Sequence, residues 1–247
     1  MEKRSTEGNP PGRPSQLERL AAGVDLLAAI SAGVIVLLIG LSMARASMSG
    51  RSRSRPATDL PSVQVSLDGL PVQGSGTAKV VLIEYSDFQC PYCAEFARIT
   101  LPDIRKDYIL PGKVLFAFRH FPLATHAFAS EAAEAAVCAG RQGRFWEMHD
   151  RLFDLQQAVS QSSFDGLASD LHLNSTEFAS CVTGEGVGRV AEDVESAKRF
   201  DISGTPAFQF GFLEGEGSAR LVKAFSGARP IGDFRSILDR LLADMKK

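Results

Sequence analysis

The sequence predicts an α/β domain that contains an inserted helical region and follows a single transmembrane helix. Three observations support this prediction. An uncharged apolar run covers residues 26–44, a strand-like run (VVLI) at residues 80–83 leads into a helical pattern, and helical periodicity dominates residues 124–200 before strand patterns return. At 247 residues the chain is long enough to bury a substantial core.

The N-terminal part of the chain divides into a tail, an apolar span and a linker. Residues 1–20 are polar and contain several prolines, which is typical of a disordered tail. Residues 21–45 include the apolar run, which as a helix would rise roughly 28 Å, about the thickness of a bilayer core. Residues 46–62 are rich in Ser and Arg, which is typical of a linker. We therefore expect a cytoplasmic tail, a transmembrane signal anchor and a linker before a folded domain at residues 63–247.

The length of the apolar span favours a retained anchor, because a secretory signal usually has only about 7–15 apolar residues. The small-x-small sequence Ala44-Arg45-Ala46 keeps the alternative open that cleavage after Ala46 releases a secreted or periplasmic protein. Four basic residues precede the span and four follow it, so the positive-inside rule does not fix its orientation. The cysteines indicate the orientation of the span, because stable disulfide chemistry belongs outside the cytosol. We expect a single-pass membrane protein with its large domain outside the cytosol.

The charge distribution argues against one class of function. Residues 1–62 carry eight Lys or Arg against five Asp or Glu, and the rest of the chain carries nineteen against twenty-four. A mildly acidic domain without a cluster of basic residues is a poor candidate for binding nucleic acid. No nucleic-acid partner is therefore expected.

The elements of the domain follow from the periodicity of its apolar residues. Apolar runs predict three strands, at residues 63–67, 79–85 and 113–121. A helix from Pro91 to about Lys106 separates the last two. Five helices then follow in a row, at residues 127–141, 144–157, 163–171, 175–182 and 188–200. These indicate an insert at about residues 124–200, after which a hairpin (207–212 and 220–225) and a closing helix (230–245) resume the fold.

Cys90 and Cys93 lie at the junction between the 79–85 strand and the helix after it. The free N–H groups and the positive dipole end at a helix start favour a thiolate on Cys90. Cys-x-x-Cys motifs in this setting lower the cysteine pKa from about 8.5 to about 3.5–7.5. Pro91 at the first helical position costs no hydrogen bond. The pattern predicts a redox dithiol with Cys90 as the nucleophile and Cys93 as the resolving thiol.

Four stretches of the sequence carry a resemblance to a known family. They are residues 84–93 (EYSDFQCPYC), 119–123 (RHFPL), 143–149 (GRFWEMH) and 203–208 (SGTPAF). From about residue 63 to its C-terminus, the chain resembles the DsbA-like branch of the thioredoxin superfamily. The resemblance implies a thioredoxin-like fold with an inserted helical domain. It also implies a thiol:disulfide oxidoreductase that oxidises cysteines of exported proteins.

The resemblance implies which residues meet the substrate. Thr205-Pro206 resembles the cis-proline loop that faces the Cys-x-x-Cys motif, with the Thr205 backbone pairing with an extended substrate. An ordinary trans proline in a turn is the alternative. Pro91 and Tyr92, between the two cysteines, are also expected to contact substrate.

Glu84 is implied to be a buried acid that exchanges protons with Cys93. A carboxylate in an apolar strand is costly unless it is paired or neutral. Lys113 is a candidate charge partner, and an edge-exposed glutamate is the alternative.

Cys138 and Cys181 both fall in predicted helices of the insert, where we expect a structural disulfide. Two unpaired core cysteines are one alternative, and a zinc site shared with Cys90 and Cys93 is another. Zinc sites usually take a second close pair of ligands, whereas Cys138 and Cys181 are 43 positions apart. No metal and no cofactor are expected. The four histidines have no ligand spacing and are expected to be surface or satisfied core residues: His120, His126, His149 and His172.

The implied partners are reduced exported proteins and a membrane protein that restores the disulfide. That reoxidant would be quinone-linked, of the DsbB or vitamin K epoxide reductase-like type, and the protein is expected to be a monomer. A reductase or isomerase of the same fold is the alternative, because Tyr92 stands where oxidants of this family often carry His. A binding module without turnover is a second alternative, which the intact Cys-x-x-Cys motif disfavours.

Overall fold

A computed structural model describes residues 56–215 and 217–245 of the chain. The predicted tail and anchor, and most of the predicted linker, lie outside these residues. Within the described part, no helix is both long and apolar enough to cross a membrane. The described residues form a six-stranded mixed sheet with helices on both faces and a further group of helices packed together beside it.

The sheet is mixed and contains one parallel pair of strands. Its strands are β1 (Thr58–Ser66), β2 (Val72–Gln73), β3 (Val80–Ser86), β4 (Val114–His120), β5 (Ala207–Leu213) and β6 (Ser218–Ser226). Their spatial order is β1-β6-β5-β3-β4-β2. Only β3 and β4 run parallel, and the other neighbours are antiparallel. Every residue of β3 and β4 is buried, so each strand begins with a continuous apolar run, VVLI in β3 and VLFAF in β4, rather than an alternating pattern.

Helix α1 runs continuously over residues 91–109 but changes its winding twice. Two π-helical stretches, Phe96–Thr100 and Arg105–Ile109, follow the α-helical stretches Pro91–Glu95 and Leu101–Ile104. Pro102 has no N–H to donate to the preceding turn, and its ring crowds the carbonyl four residues back. A widened turn just before Pro102 accommodates both effects, so the helix continues past the proline.

Six further helices complete the described part. They are α2 (Ala129–Arg141), α3 (Phe145–Leu155), α4 (Gln161–Asp170), α5 (Ser175–Val182), α6 (Glu185–Arg199) and α7 (Ile231–Asp244). The five that follow β4 are the predicted insert. The observed element boundaries differ from the predicted ones by a few residues at most, except at the start of β1 and at β2.

The sheet separates two apolar layers. On one face, α1 and α7 bring Phe96 and Phe234 against Phe208 of β5, with ring centroids 4.6 and 4.9 Å from Phe208. On the other face, Ala197 of α6 packs with the alternate residues of β3. The insert has its own core, which reaches the sheet through Phe88 and Phe118 and includes both redox cysteines. The reactive pair therefore lies where the insert meets the sheet.

Strand β1 corrects the predicted linker of residues 46–62, because it begins at Thr58. The pairing of β1 with β6 shifts register between Asp59 and Val63, so Pro61 lies in a bulge where no ladder N–H is required. The proline and the irregular pairing hide the first half of this strand from a periodicity search. β2 was not predicted either, because two residues show no period.

Cys138 of α2 and Cys181 of α5 form a disulfide with an S–S distance of 2.05 Å, as the sequence predicts. This pairing excludes the zinc alternative, which needs both residues as free thiolates.

Candidate active site

Cys90 lies at the start of α1, where β3 ends and the helix begins. Its backbone is extended (φ −73°, ψ 121°), and it occupies the position just before the first helical residue. The residue is 3% exposed, and Cys93, one turn later, is fully buried. Pro91 and Tyr92 between them are exposed, with 61% of Tyr92 open to solvent. The two cysteines are thiols without a bond between them.

The surroundings of Cys90 favour its thiolate. Hydrogen bonding from the Cys93 thiol is the largest cause that lowers the pKa of Cys90, from 9.0 to about 5, and it outweighs the opposing effect of burial. The Thr205 side chain and the backbone N–H groups of Cys93 and Tyr92 act in the same direction. These N–H groups are free because they belong to the first turn of α1.

The surroundings of Cys93 have the opposite effect. Burial is the largest cause that raises its pKa well above 9.0, followed by its hydrogen bond to Cys90 and the charge of Glu84. The two sulfurs therefore differ strongly in acidity, with the acidic one nearer the surface. This asymmetry is the arrangement predicted for a nucleophile and a resolving thiol.

Glu84 is fully buried in β3, which excludes an edge-exposed side chain. Neither carboxylate oxygen has a hydrogen-bond partner among the described residues. Burial is the main cause that raises its pKa from 4.5 to about 8, and the charge of Cys90 adds to the shift. The Ser86 hydroxyl is close enough to oppose this shift, but no hydrogen bond of normal geometry joins the two side chains. Glu84 is thus a neutral acid at pH 7.

Lys113 is not the charge partner of Glu84, and that expectation is wrong. Its Nζ donates to the backbone oxygen of Asp107 at 3.0 Å and lies 5.5 Å from the centre of the Tyr108 ring. Lys113 stands before the first residue of β4, where the strand meets the turn after α1, so it has its partners outside the sheet.

The loop before β5 faces Cys90. The Thr205–Pro206 peptide bond is cis, as the sequence predicts. The Cys90 thiol donates to the backbone oxygen of Thr205 at 3.4 Å. The Thr205 hydroxyl is buried with no other partner in the described structure, so it is available to a thiolate on Cys90. The sulfur thus has a partner on this loop in either protonation state.

Asp87 fixes the turn that leads into Cys90, a role that the sequence analysis missed. Its buried carboxylate accepts hydrogen bonds from the backbone N–H groups of Gln89 and Leu123, at 2.7 and 2.8 Å. His126 Nδ1 lies 2.7 Å from the same carboxylate. The turn is therefore tied to the segment after β4. An Asp two residues before a backbone donor is a recognisable local signal, but its distant partners are not.

Gln156 holds the same turn from the insert. Its Nε2 donates to the backbone oxygens of Phe88 and Cys90, at 3.0 and 3.5 Å. Gln156 follows α3 and has a φ of 49°, an unusual value for a residue other than glycine. Nothing in the local sequence signals this contact, because 66 positions separate Gln156 from Cys90.

The family comparison agrees with this geometry. The family described as thioredoxin matches residues 67–212, which is more than half of the chain. The chain belongs to the thioredoxin family. Within it, this protein has the fold and the Cys-x-x-Cys site of the DsbA-like thiol:disulfide oxidoreductases. Its structure resembles that of alpha-DsbA1 from Wolbachia pipientis with a TM-score of 0.63 and 23% identity, over 72% of this chain and 92% of that one.

Curated relatives of this thioredoxin-family protein have two kinds of name. "Disulfide bond formation protein D" of Bacillus subtilis is 29% identical over 165 residues, which are 63% of this chain and 73% of that protein. "Na(+)/H(+) antiporter NhaA 3" of Salinispora tropica is 34% identical over 227 residues, which are 86% of this chain and 34% of that protein. The chain thus spans about a third of the antiporter's length, so ion transport is not assigned to it.

Proposed function

We propose that this protein donates the disulfide of Cys90 and Cys93 to pairs of cysteines in exported proteins, outside the cytosol. The observation that carries this proposal is the difference in acidity between the two sulfurs. A Cys90 thiolate stabilised by its neighbours lowers the free energy of the reduced enzyme. A pair whose reduced form is stabilised is a strong oxidant, because it gains electrons readily.

The first step forms a mixed disulfide. A thiolate of the substrate attacks Sγ of Cys90, and the bond between Cys90 and Cys93 breaks. Cys93 leaves with the electron pair and takes up a proton, since burial disfavours its thiolate. Glu84 is protonated at pH 7 and buried near Cys93, so it is the group placed to supply that proton.

The second step releases the product. A second thiolate of the substrate attacks the substrate sulfur of the mixed disulfide, and Cys90 leaves as a thiolate. Its lowered pKa makes it a good leaving group. Two electrons pass from the substrate to the cysteine pair, and the substrate gains a disulfide. The Thr205 backbone beside Cys90 supports pairing with an extended substrate, and the exposed Pro91 and Tyr92 support contact with it.

The proposal places the domain outside the cytosol, held at the membrane by residues 26–44. The Cys138–Cys181 disulfide supports this location, because such bonds persist mainly in oxidising compartments. A reduced enzyme needs an acceptor for its two electrons. We propose a quinone-linked membrane protein of the DsbB or vitamin K epoxide reductase-like type. Membranes of the native host should then reoxidise the reduced protein only when a quinone is present.

The reduction potential of the Cys90–Cys93 pair tests the direction of the reaction. Equilibration with glutathione buffers should give a value of about −120 mV, as for a dithiol oxidant, whereas about −270 mV is typical of a reductant. Cys90→Ser should abolish oxidation of a reduced, unfolded protein. Cys93→Ser should instead form mixed disulfides through Cys90. A potential of about −270 mV with no oxidation of the substrate would contradict the proposal.

A further inference from the structure

A cavity of about 570 Å³ lies between the helical insert and the sheet. Neither Cys90 nor Cys93 lines it. Its volume falls within the roughly 300–1,000 Å³ that small-molecule sites occupy. The cavity opens at the surface of one compact unit, where the segment after β1, the end of β4 and helices α2 and α6 all line it.

His120 lines this cavity, and its ring lacks hydrogen-bond partners among the described residues. The residue is 1% exposed, and neither ring nitrogen has a partner among the described residues. Its ring otherwise meets aromatic rings, including those of Phe118 and Phe145 at centroid distances of 5.2 and 5.8 Å. The expectation of a satisfied core histidine is therefore wrong for His120. A buried polar atom left unpaired is costly, which points to a group that the cavity receives.

The protonation state of His120 defines what that group can be. Burial is the main cause that lowers the pKa of His120 to about 4, so the ring is neutral at pH 7. A neutral imidazole presents one N–H donor and one bare nitrogen acceptor. A hydroxyl group can use either, because it both donates and accepts.

The other lining residues indicate the polarity and the net charge of the ligand. Apolar side chains line much of the wall, among them Leu70, Pro71 and Val137. The charged lining residues form pairs of opposite sign. Arg141 meets Glu185 at 2.6 Å, and Arg189 meets Glu192 at 2.8 Å. These pairs leave no single charge for an ionic ligand to neutralise.

We propose that this cavity binds a small neutral molecule with an apolar, ring-sized body and a hydroxyl group that hydrogen-bonds to the ring of His120. The site is separate from the thiol chemistry, and its occupant is recognised by shape and by one polar contact. The proposal does not depend on the direction in which the cysteine pair works.

Gly188 provides a way to block the cavity without disturbing the fold. It lies in α6 and lines the cavity, and a Cβ built on it would meet no atom within 4 Å. Its φ is not positive, so other residues can adopt its backbone conformation. Gly188→Leu should therefore fill part of the cavity, and Gly188→Ala is the matched control that adds a single methyl group.

Binding of 2-naphthol to the full-length protein in detergent tests the proposal, with naphthalene and 2-naphthoate as probes that lack the hydroxyl or carry a charge. Calorimetry should show one site for 2-naphthol. One hydrogen bond to a buried partner makes it about three- to tenfold tighter than naphthalene. His120→Phe should keep naphthalene binding and remove this preference. Gly188→Leu should weaken both neutral probes at least about tenfold, and Gly188→Ala should weaken them less.

Several results would overturn the proposal. These are no binding of 2-naphthol, equal binding of naphthalene, or binding of 2-naphthoate as tight as that of 2-naphthol. Binding that Gly188→Leu leaves unchanged would place the probe elsewhere, in the detergent or on another surface. Unchanged alkylation of Cys90 and an unchanged circular dichroism spectrum show that each variant is folded.

Discussion

At the scale of single residues, hydrogen bonds to the Cys90 sulfur lower its pKa, without help from a basic side chain. None of the causes that lower its pKa is a cationic residue. The thiol of Cys93, the Thr205 side chain and two backbone N–H groups together provide the stabilisation. The side chain of Tyr92 is exposed and is not among these causes.

Alkylation of the reduced protein tests this acidity. Iodoacetamide should react with Cys90 with a midpoint near pH 5, because its pKa is lowered from 9.0 to about 5. Cys93 should remain largely unmodified, since it is buried and its pKa is raised. The Cys93→Ala variant removes the side-chain donor that is the largest cause of the lowered pKa, so its Cys90 midpoint should move upward. An equal midpoint in both proteins would contradict this account of the acidity.

The same shift links redox state to folding stability. The folded pKa of Cys90 lies below the unfolded value, so the thiolate contributes stability that is fully present above pH 9. That contribution falls between pH 9 and pH 5 and is lost below pH 5. The oxidised protein lacks it. Urea unfolding should therefore show the stability of the reduced form, relative to the oxidised form, decreasing as pH falls through this window. A pH-independent difference would count against the shift.

For Glu84 we predict a pH dependence of folding stability that is opposite in sign to that of Cys90. Its folded pKa of about 8 lies above 4.5, so the wild type loses stability as pH rises from about 4.5 to about 8. Glu84→Gln removes this dependence. Its stability relative to the wild type should rise across the window by several kcal/mol, at about 1.4 kcal/mol per pKa unit. Glu95→Gln, at an exposed position in α1, is the control and should show no such trend.

At the scale of elements, the disulfide between α2 and α5 stabilises the insert by restricting the conformations of the unfolded chain. The bridge closes a loop of 43 residues, and removing it should cost about 4 kcal/mol in the chain-entropy model. Denaturant unfolding of the Cys138→Ala/Cys181→Ala variant measures this cost. The Cys90→Ser/Cys93→Ser variant closes no loop of comparable size and is the comparison. An equal loss of stability in both variants would show that loop closure is not the cause.

Elements with a clear period could be predicted from the sequence, and elements defined by distant contacts could not. The buried runs of β3 and β4, the five insert helices and the start of α1 at Cys90 all follow from local pattern. The first half of β1 and the two residues of β2 have no period and are defined only by their partners β6 and β4.

The candidate site divides in the same way. The cysteine pair and the Thr205-Pro206 loop could be found from motifs. The contacts of Asp87 with His126 and of Gln156 with the Cys90 turn join positions far apart in the chain. No local pattern marks them, because each is created by packing of the insert against the sheet.

At the scale of the whole molecule, the redox pair should couple electron transfer to proton uptake in a way that changes with pH. Below about pH 5 both thiols of the reduced enzyme are protonated, so the potential should fall by about 59 mV per pH unit. Above pH 5 Cys90 is a thiolate and one proton accompanies two electrons, so the slope should halve to about 30 mV. Glutathione equilibration between pH 4 and pH 7 measures it, and a constant slope would contradict the low pKa.

A further prediction concerns whether the mature protein keeps residues 26–44. Residues 26–44 form an uncharged span long enough to cross a bilayer, so the mature protein should retain them. N-terminal sequencing of the protein from native membranes checks this. A mature chain that begins at Ser47 would show cleavage after Ala46 and make the protein soluble outside the cytosol.

The two edges of the sheet determine how copies of the protein can meet. A second chain that extended the sheet along β1 would encounter Pro61, which has no N–H, and a backbone that leaves regular pairing between Asp59 and Val63. Within the part of the chain that the structure describes, the opposite edge offers only the two residues of β2. Copies of the protein can therefore collide without joining their sheets into a growing fibre. We expect a concentrated population to stay dispersed, with the reactive sulfur of each copy still accessible.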